Sequence, residues 1–337
     1  MTPLSGERAA RFAAMIAPIN AALTACGAAP IGEALLTERA ALLGLPAPSA
    51  VSANGRCRLV AAADGWVALN LARTDDIALM PALIGDETGD DVWASVRTAF
   101  ASVTVVVLTK QASLLGVPLA ALGEASREAS ISHRLSATAH RSGAPLVVDL
   151  SSLWAGPLAA GLLARLGMQV IKVESTTRPD GARIGSPAFF QRLNGGKEMR
   201  RIDFGNTAGV TALRDLLTRA DIVIEASRPR ALQQFGIDAA EMVRDKPGMI
   251  WASITAYGRS GASGMRVGFG DDAAVAGGLV DGDADSPRFT GDAIADPLAG
   301  IAATRAILAA RASGGGVLLD IALAGAAAEI AGRALCS

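Results

Sequence analysis

Hydrophobic and polar positions change their rhythm near residue 145. From Pro145 onward, short apolar runs alternate with amphipathic stretches. Leu146–Leu150 (LVVDL), Gln169–Val173 (QVIKV), Asp221–Glu225 (DIVIE), Met249–Ile254 (MIWASI) and Gly316–Ala322 (GVLLDIA) read as buried strands. Pro157–Leu166, Thr207–Ala220 and Pro297–Ala312 read as the helices between them. Pro157 suits a first helical turn, and Gly167 stands where a helix C-cap is expected. This alternation predicts an α/β fold: a doubly wound, Rossmann-like parallel sheet with helices on both faces.

The first 125 residues have a different texture. Ala9–Leu45 is helical in composition, and its prolines predict a broken, Ala-rich helix pair. Arg58–Leu71 (RLVAAADGWVALNL) reads as a hairpin around Asp64-Gly65. Ser102–Leu108 (SVTVVVL) has the β-branched run of a strand, although a buried helix fits too. The polar stretch 125–144 carries both histidines, His133 and His140, and reads as a linker. The expected division is a small α+β domain over 1–125, a linker over 126–144 and the large domain over 145–337.

Composition narrows the function classes. Of 337 residues, 51% are hydrophobic, which is ample for a core and excludes a disordered chain. The 31 basic and 32 acidic residues nearly cancel, so no overall field favours nucleic acid or an anionic membrane. Three cysteines (Cys26, Cys57 and Cys336) do not make a disulfide framework; they read as reduced thiols in a cytoplasmic protein. With two histidines, a His/Cys metal site is not expected. The uncharged stretch Phe12–Gly32 has a signal-peptide outline but is too rich in Ala, Gly and Pro for a membrane span.

Candidate chemistry lies in the turns after the strands, where open parallel sheets bind ligands. The first such turn, Ser151–Pro157, lacks the GxGxxG spacing of a dinucleotide site. The second, Glu174–Gly185, carries Arg178 and Arg183, and NGGK adds Lys197 without a Walker A pattern. The third holds Ser227, Arg228 and Arg230, and the fourth holds Tyr257, the only tyrosine in the chain. A lone tyrosine there can pack or stack on a ligand. Asp296 sits before Pro297 at a helix opening, a place that suits an ordinary N-cap as well as a reactive carboxylate.

Taken jointly, LVVDLSSLWAGP, GMQVIKVE, NGGK, ADIVIEASRPRALQQFGI, SITAYGRSG, GDDAAVAGGL and GDAIADPLAG resemble the family III CoA transferases, a group that also includes carnitine and formyl-CoA transferases and 2-methylacyl-CoA racemases. ADGWVALNL (63–71) and LLGVPLAALGE (114–124) resemble the family's smaller domain, which here precedes the large one, as in a circular permutation.

The resemblance implies acyl-CoA:carboxylate CoA transfer. An Asp carboxylate attacks the acyl-CoA thioester, CoA thiolate opens the mixed anhydride, and an acceptor acid follows. The matching nucleophile is Asp296. The implied CoA contacts are Leu153, Trp154, Ala155, Gly156, Pro157, Arg178, Arg183, Lys197, Ser227, Arg228, Arg230 and Tyr257. CoA enters as substrate, with no permanently bound cofactor, and an interlocked homodimer is expected. Ser175, Ala226, Gln234 and Thr255 depart from family-typical polar or basic residues, which thins the phosphate contacts and admits a non-catalytic CoA-binding protein as an alternative. The racemase branch places a His where Phe269 stands; a racemase would need Asp271 or Asp272 in that role.

Overall fold

The computed structural model describes residues 4–125, 128–139 and 143–333. His140 and Cys336 lie outside them. Twelve strands occur in the described chain: β1 (Cys57–Ala62), β2 (Gly65–Asn70), β3 (Leu119–Ala121), β4 (Ser130–Arg134), β5 (Leu146–Asp149), β6 (Gln169–Ser175), β7 (Glu198–Ile202), β8 (Ile222–Glu225), β9 (Ile250–Thr255), β10 (Val280–Asp281), β11 (Arg288–Phe289) and β12 (Val317–Ala322).

Seven strands form the main sheet in the order β4-β12-β9-β8-β5-β6-β7. All its pairings are parallel except the β4–β12 edge. Side chains alternate across it as a period of two requires. Val147, Ile222, Ile224, Ile250 and Leu319 face one core, with helices Ala155–Arg165 and Ala295–Ala312. Val148, Ile171, Val223, Trp251 and Leu318 face the other, under helices Thr207–Arg219 and Ala239–Asp245. The sheet is doubly wound, as expected. The Ala bias has a packing reason: a Cβ on Gly300 would stand 2.5 Å from the Ala155 carbonyl oxygen, so these two helices touch nearly backbone to backbone.

The smaller sheet, β1-β2-β3, is antiparallel, and its core includes Val96, Phe100 and Leu108 of helices Val92–Phe100 and Val105–Leu115. The hairpin at Asp64 forms as expected. The strand expected at Ser102–Leu108 does not: Val105–Leu115 is helical. The Asp64 carboxylate accepts the Val105 N–H at 2.7 Å and so caps the helix, and Leu108 and Ala112 bury one face. That cap lies 41 residues away in sequence, and it outweighs the β preference of the valines.

Two further features differ from the sequence reading. The polar 125–144 stretch is more than a linker, since Ser130–Arg134 forms the exposed edge strand with His133 opposite Leu318. Helix Gly6–Ala25 keeps Pro18 inside it and breaks after Ala25, ahead of Pro30. Its Phe12, Met15, Ile19 and Leu23 join the core of the large sheet rather than the small one. No described helix is long and apolar enough to cross a membrane.

Candidate active site

The turn after β5 rests on a buried ion network. Lys197 Nζ donates to Asp149 Oδ2, the Pro157 carbonyl and Asn194 Oδ1, each at 2.8 Å. Lys172, fully buried, donates to the Ser151 carbonyl and stands 3.4 Å from Asp180 Oδ2. Asp180 Oδ1 in turn accepts the Leu153 N–H at 3.0 Å. Burial pushes the Asp149 carboxyl up, but Lys172 and Lys197 outweigh it and hold its pKa below the ordinary range. Burial lowers the Lys197 pKa, and Asp149 offsets only part of that. The network holds Leu153 at φ 69°, a left-handed conformation that a non-glycine residue rarely adopts. Its side chain is exposed, whereas Trp154, Ala155, Gly156 and Pro157 are buried.

The expected CoA contacts therefore sort into two groups. Lys197 is consumed inside the fold and presents no free ammonium to a phosphate. Arg183 makes bidentate contact with Glu174, at 2.9 and 2.6 Å, and stacks on Phe190. Tyr257 is buried; its hydroxyl donates to Asp272 Oδ2 at 3.0 Å and Arg266 covers its ring, so no face is left for a ligand. Ser227 is half-buried and donates to Glu225. Arg178, Arg228 and Arg230 are exposed. Partial burial, then the charges of Arg230, Arg73 and Arg178, lower the Arg228 pKa, so these four arginines share one cationic field. Arg73 is tied to Asp76 and the Gly116 carbonyl.

Behind this edge lies a cluster of four carboxylates. Asp271 accepts the Ala293 N–H at 2.8 Å and the Asn54 amide at 3.3 Å. Asp272 accepts from Asn70 at 2.9 Å, from Tyr257 and from the Phe269 N–H. Asp292, with no exposed side-chain surface, is gripped by Arg39 through Nε at 2.7 Å and through a second nitrogen. Asp296, on the first turn of helix Ala295–Ala312, accepts no hydrogen bond among the described residues and is half-buried. Gly270 leaves the room it occupies: a Cβ there would stand 2.4 Å from Asp296 Oδ2.

Burial pushes the Asp271 carboxyl up to about 7, aided by the charge of Asp292. Burial likewise raises Asp296 to about 7; Arg39 opposes this, while Asp271, Asp272 and Asp292 add to it. Asp272 is raised to about 6 by burial, against its hydrogen-bond donors. Clusters of buried acids with raised pKa values recur at functional sites. Among the described residues no group of His, Cys, Asp and Glu could hold a metal ion.

The family model of CoA-transferase family III matches residues 145–337, more than half the chain. The chain belongs to that family. It is 36% identical over 180 residues to the (R)-2-hydroxy-4-methylpentanoate CoA-transferase of Clostridioides difficile, covering 49% of this chain and 45% of that protein. It is 31% identical over 176 residues to the succinyl-CoA:glutarate CoA-transferase of Mus musculus, covering 48% and 40%. The chain thus spans less than half the length of these curated relatives. Among solved structures it resembles a hypothetical protein, Rv3272, from Mycobacterium tuberculosis, with TM-score 0.50, 29% identity and 56% of each chain covered.

Several residues of this candidate site escape sequence reading. Arg39, Asn54 and Asn70, which hold Asp292, Asp271 and Asp272, and Arg73 in the cationic field, all precede the matched region. None sits in a motif. Only the carboxylates they contact, more than 200 residues later for the first three, give them meaning.

Proposed function

We propose that the protein transfers CoA between an acyl-CoA and a carboxylic acid, with Asp296 as the nucleophile. The observation that carries this reading is the contrast within the carboxylate cluster. Asp271, Asp272 and Asp292 spend their oxygens on hydrogen bonds, and Asp296 keeps both of its own. The Asp296 carboxylate attacks the thioester carbonyl, the C–S bond breaks, and CoA leaves as thiolate. The thiolate then attacks the Asp296 carbonyl of the mixed anhydride. This releases the donor acid and leaves an aspartyl-CoA thioester. The acceptor carboxylate displaces CoA from Asp296, and CoA attacks the acceptor carbonyl to give the new acyl-CoA and the free Asp296 carboxylate.

A half-buried site slows hydrolysis of the anhydride. The cationic field of Arg178, Arg228 and Arg230, with Arg73, is suited to the phosphates of CoA. The Leu153–Pro157 turn offers its backbone and the exposed Leu153 side chain. The small-domain motifs ahead of the large domain belong to the same reading as a permuted order, and a homodimer as the assembly. Racemisation is the weaker reading, because Asp271 and Asp272 are hydrogen-bonded and buried where an acid/base must reach an α-carbon.

The test is to incubate the protein with a panel of acyl-CoAs and hydroxylamine and to map the modified peptide by mass spectrometry. The expected result is a hydroxamate on Asp296 in the wild type and none in Asp296→Ala. Undiminished acyl-CoA/acid exchange by Asp296→Ala would refute the assignment, and CoA binding without any exchange would point to a non-catalytic binding protein.

A further inference from the structure

Helix Ala34–Leu43 lies outside the family-matched region, yet it sends Arg39 into the carboxylate cluster. The Arg39 guanidinium grips Asp292 through two nitrogens and lies over the Trp154 ring, 5.0 Å from its centroid. It thereby ties three separate segments together: helix Ala34–Leu43, the turn after β5 and the approach to Asp296. That approach is tightly drawn. Ala293, next to Asp292, has φ 43°, one of two non-glycine residues at positive φ among those described. Its N–H is held by Asp271, and its carbonyl accepts the Asp296 N–H at 2.9 Å. The charged groups facing Asp296 are Arg39 from helix Ala34–Leu43, Asp271 and Asp272 from helix Gly270–Ala276, and Asp292 from the approach. Arg39 is the one cation among them.

We propose that Arg39 is a positioning residue for Asp296: by neutralising Asp292 in a buried pair it keeps a further negative charge off the reacting group and fixes the turn from which that group projects. The proposal deepens the assignment of Asp296 as nucleophile and rests on it. Without Arg39, Asp292 would be an unpaired carboxylate beside Asp296, and the cluster would hold only acids. Asp296 would then stay protonated to higher pH, and a protonated carboxyl does not attack a thioester. Without Asp292, one opposing carboxylate is gone and the Arg39 cation weighs more on Asp296, so the effect would have the opposite sign.

The test titrates Asp296 directly. Full-length protein labelled with 13C at aspartate carboxyls is followed by NMR across pH, with the Asp296 signal assigned by its loss in Asp296→Asn. Arg39→Gln is expected to raise the Asp296 midpoint by on the order of one pH unit, the scale of a lost neighbouring charge. Asp292→Asn is expected to lower it, and Arg39→Lys to restore most of the Arg39→Gln shift. A merely structural Arg39 would change the unfolding midpoint and leave these titrations in place. If Arg39→Gln does not fold, Asp292→Asn decides alone. Opposite shifts support the proposal; an unmoved midpoint, or shifts of the same sign, overturns it. The titration needs no turnover, so its outcome is separate from the nucleophile assignment, which fails instead if hydroxylamine marks no Asp296 in the wild type.

Discussion

Two buried charge clusters lie at the same edge of the main sheet, and they are built on opposite principles. Under the turn after β5, Asp149 and Asp180 are interleaved with Lys172 and Lys197, and the Asp149 carboxyl is shifted down. Around Asp296, four acids share a single arginine, and three of them are pushed up. Matched charges make a scaffold, because each ionised group has a partner that offsets part of its lost hydration. Unmatched charges leave a carboxylate poised near neutrality, which is costly to the fold and useful to a reaction. The scaffold cluster sets the strained Leu153 turn; the unmatched cluster contains the one carboxylate with free oxygens.

The comparison can be broken most severely at Lys197. Lys197→Met removes one cation of the matched cluster and leaves Asp149 short of charge in a fully buried place. Loss of about 3–5 kcal/mol of unfolding free energy is expected, the cost of breaking a buried pair, measured by urea denaturation. If Lys197 were instead a phosphate ligand, CoA affinity would fall and stability would hold.

The unmatched cluster should respond in the other direction. Asp271 has a folded pKa of about 7, above its ordinary value of 3.8, so the fold favours the protonated form. Its stability penalty grows as pH rises above the unfolded value and is complete above about pH 7. Asp271→Asn removes that penalty. A gain on the order of 1–3 kcal/mol is expected at pH 8, fading toward pH 4, in paired denaturation curves. A loss of stability at pH 8 would mean that its hydrogen bonds to Ala293 and Asn54 dominate instead.

The exposed arginines give the smallest effect. Arg228→Gln is expected to weaken CoA binding by roughly tenfold at low salt, with the difference shrinking as ionic strength rises. Calorimetry at two salt concentrations measures this; a salt-independent affinity equal to wild type would remove the cationic field from CoA binding.

The expectations drawn from sequence fare unevenly for physical reasons. The buried strands and the helices between them were legible, because apolar runs such as LVVDL and DIVIE state their environment locally. Ser102–Leu108 was not, because its helix depends on a cap from Asp64. Asp296 is singled out in the sequence only by its motif; its contrast with Asp271, Asp272 and Asp292 lies in which carboxylates find donors, and the most distant of those donors are Arg39, Asn54 and Asn70. Lys197 looked like a ligand for phosphate because nothing near it in sequence announces Asp149, 48 residues earlier. Partners distant in sequence decide whether a charged residue is structural or available.

The most direct measurement follows oxygen. With an acceptor acid whose carboxylate carries 18O, and the acyl-CoA donor that exchanges with it fastest, transfer through Asp296 must leave one acceptor oxygen on the aspartate. Mass spectrometry of the Asp296 peptide after turnover should therefore show 18O at Asp296. Exchange that proceeds at full rate with no label reaching Asp296 would contradict the account.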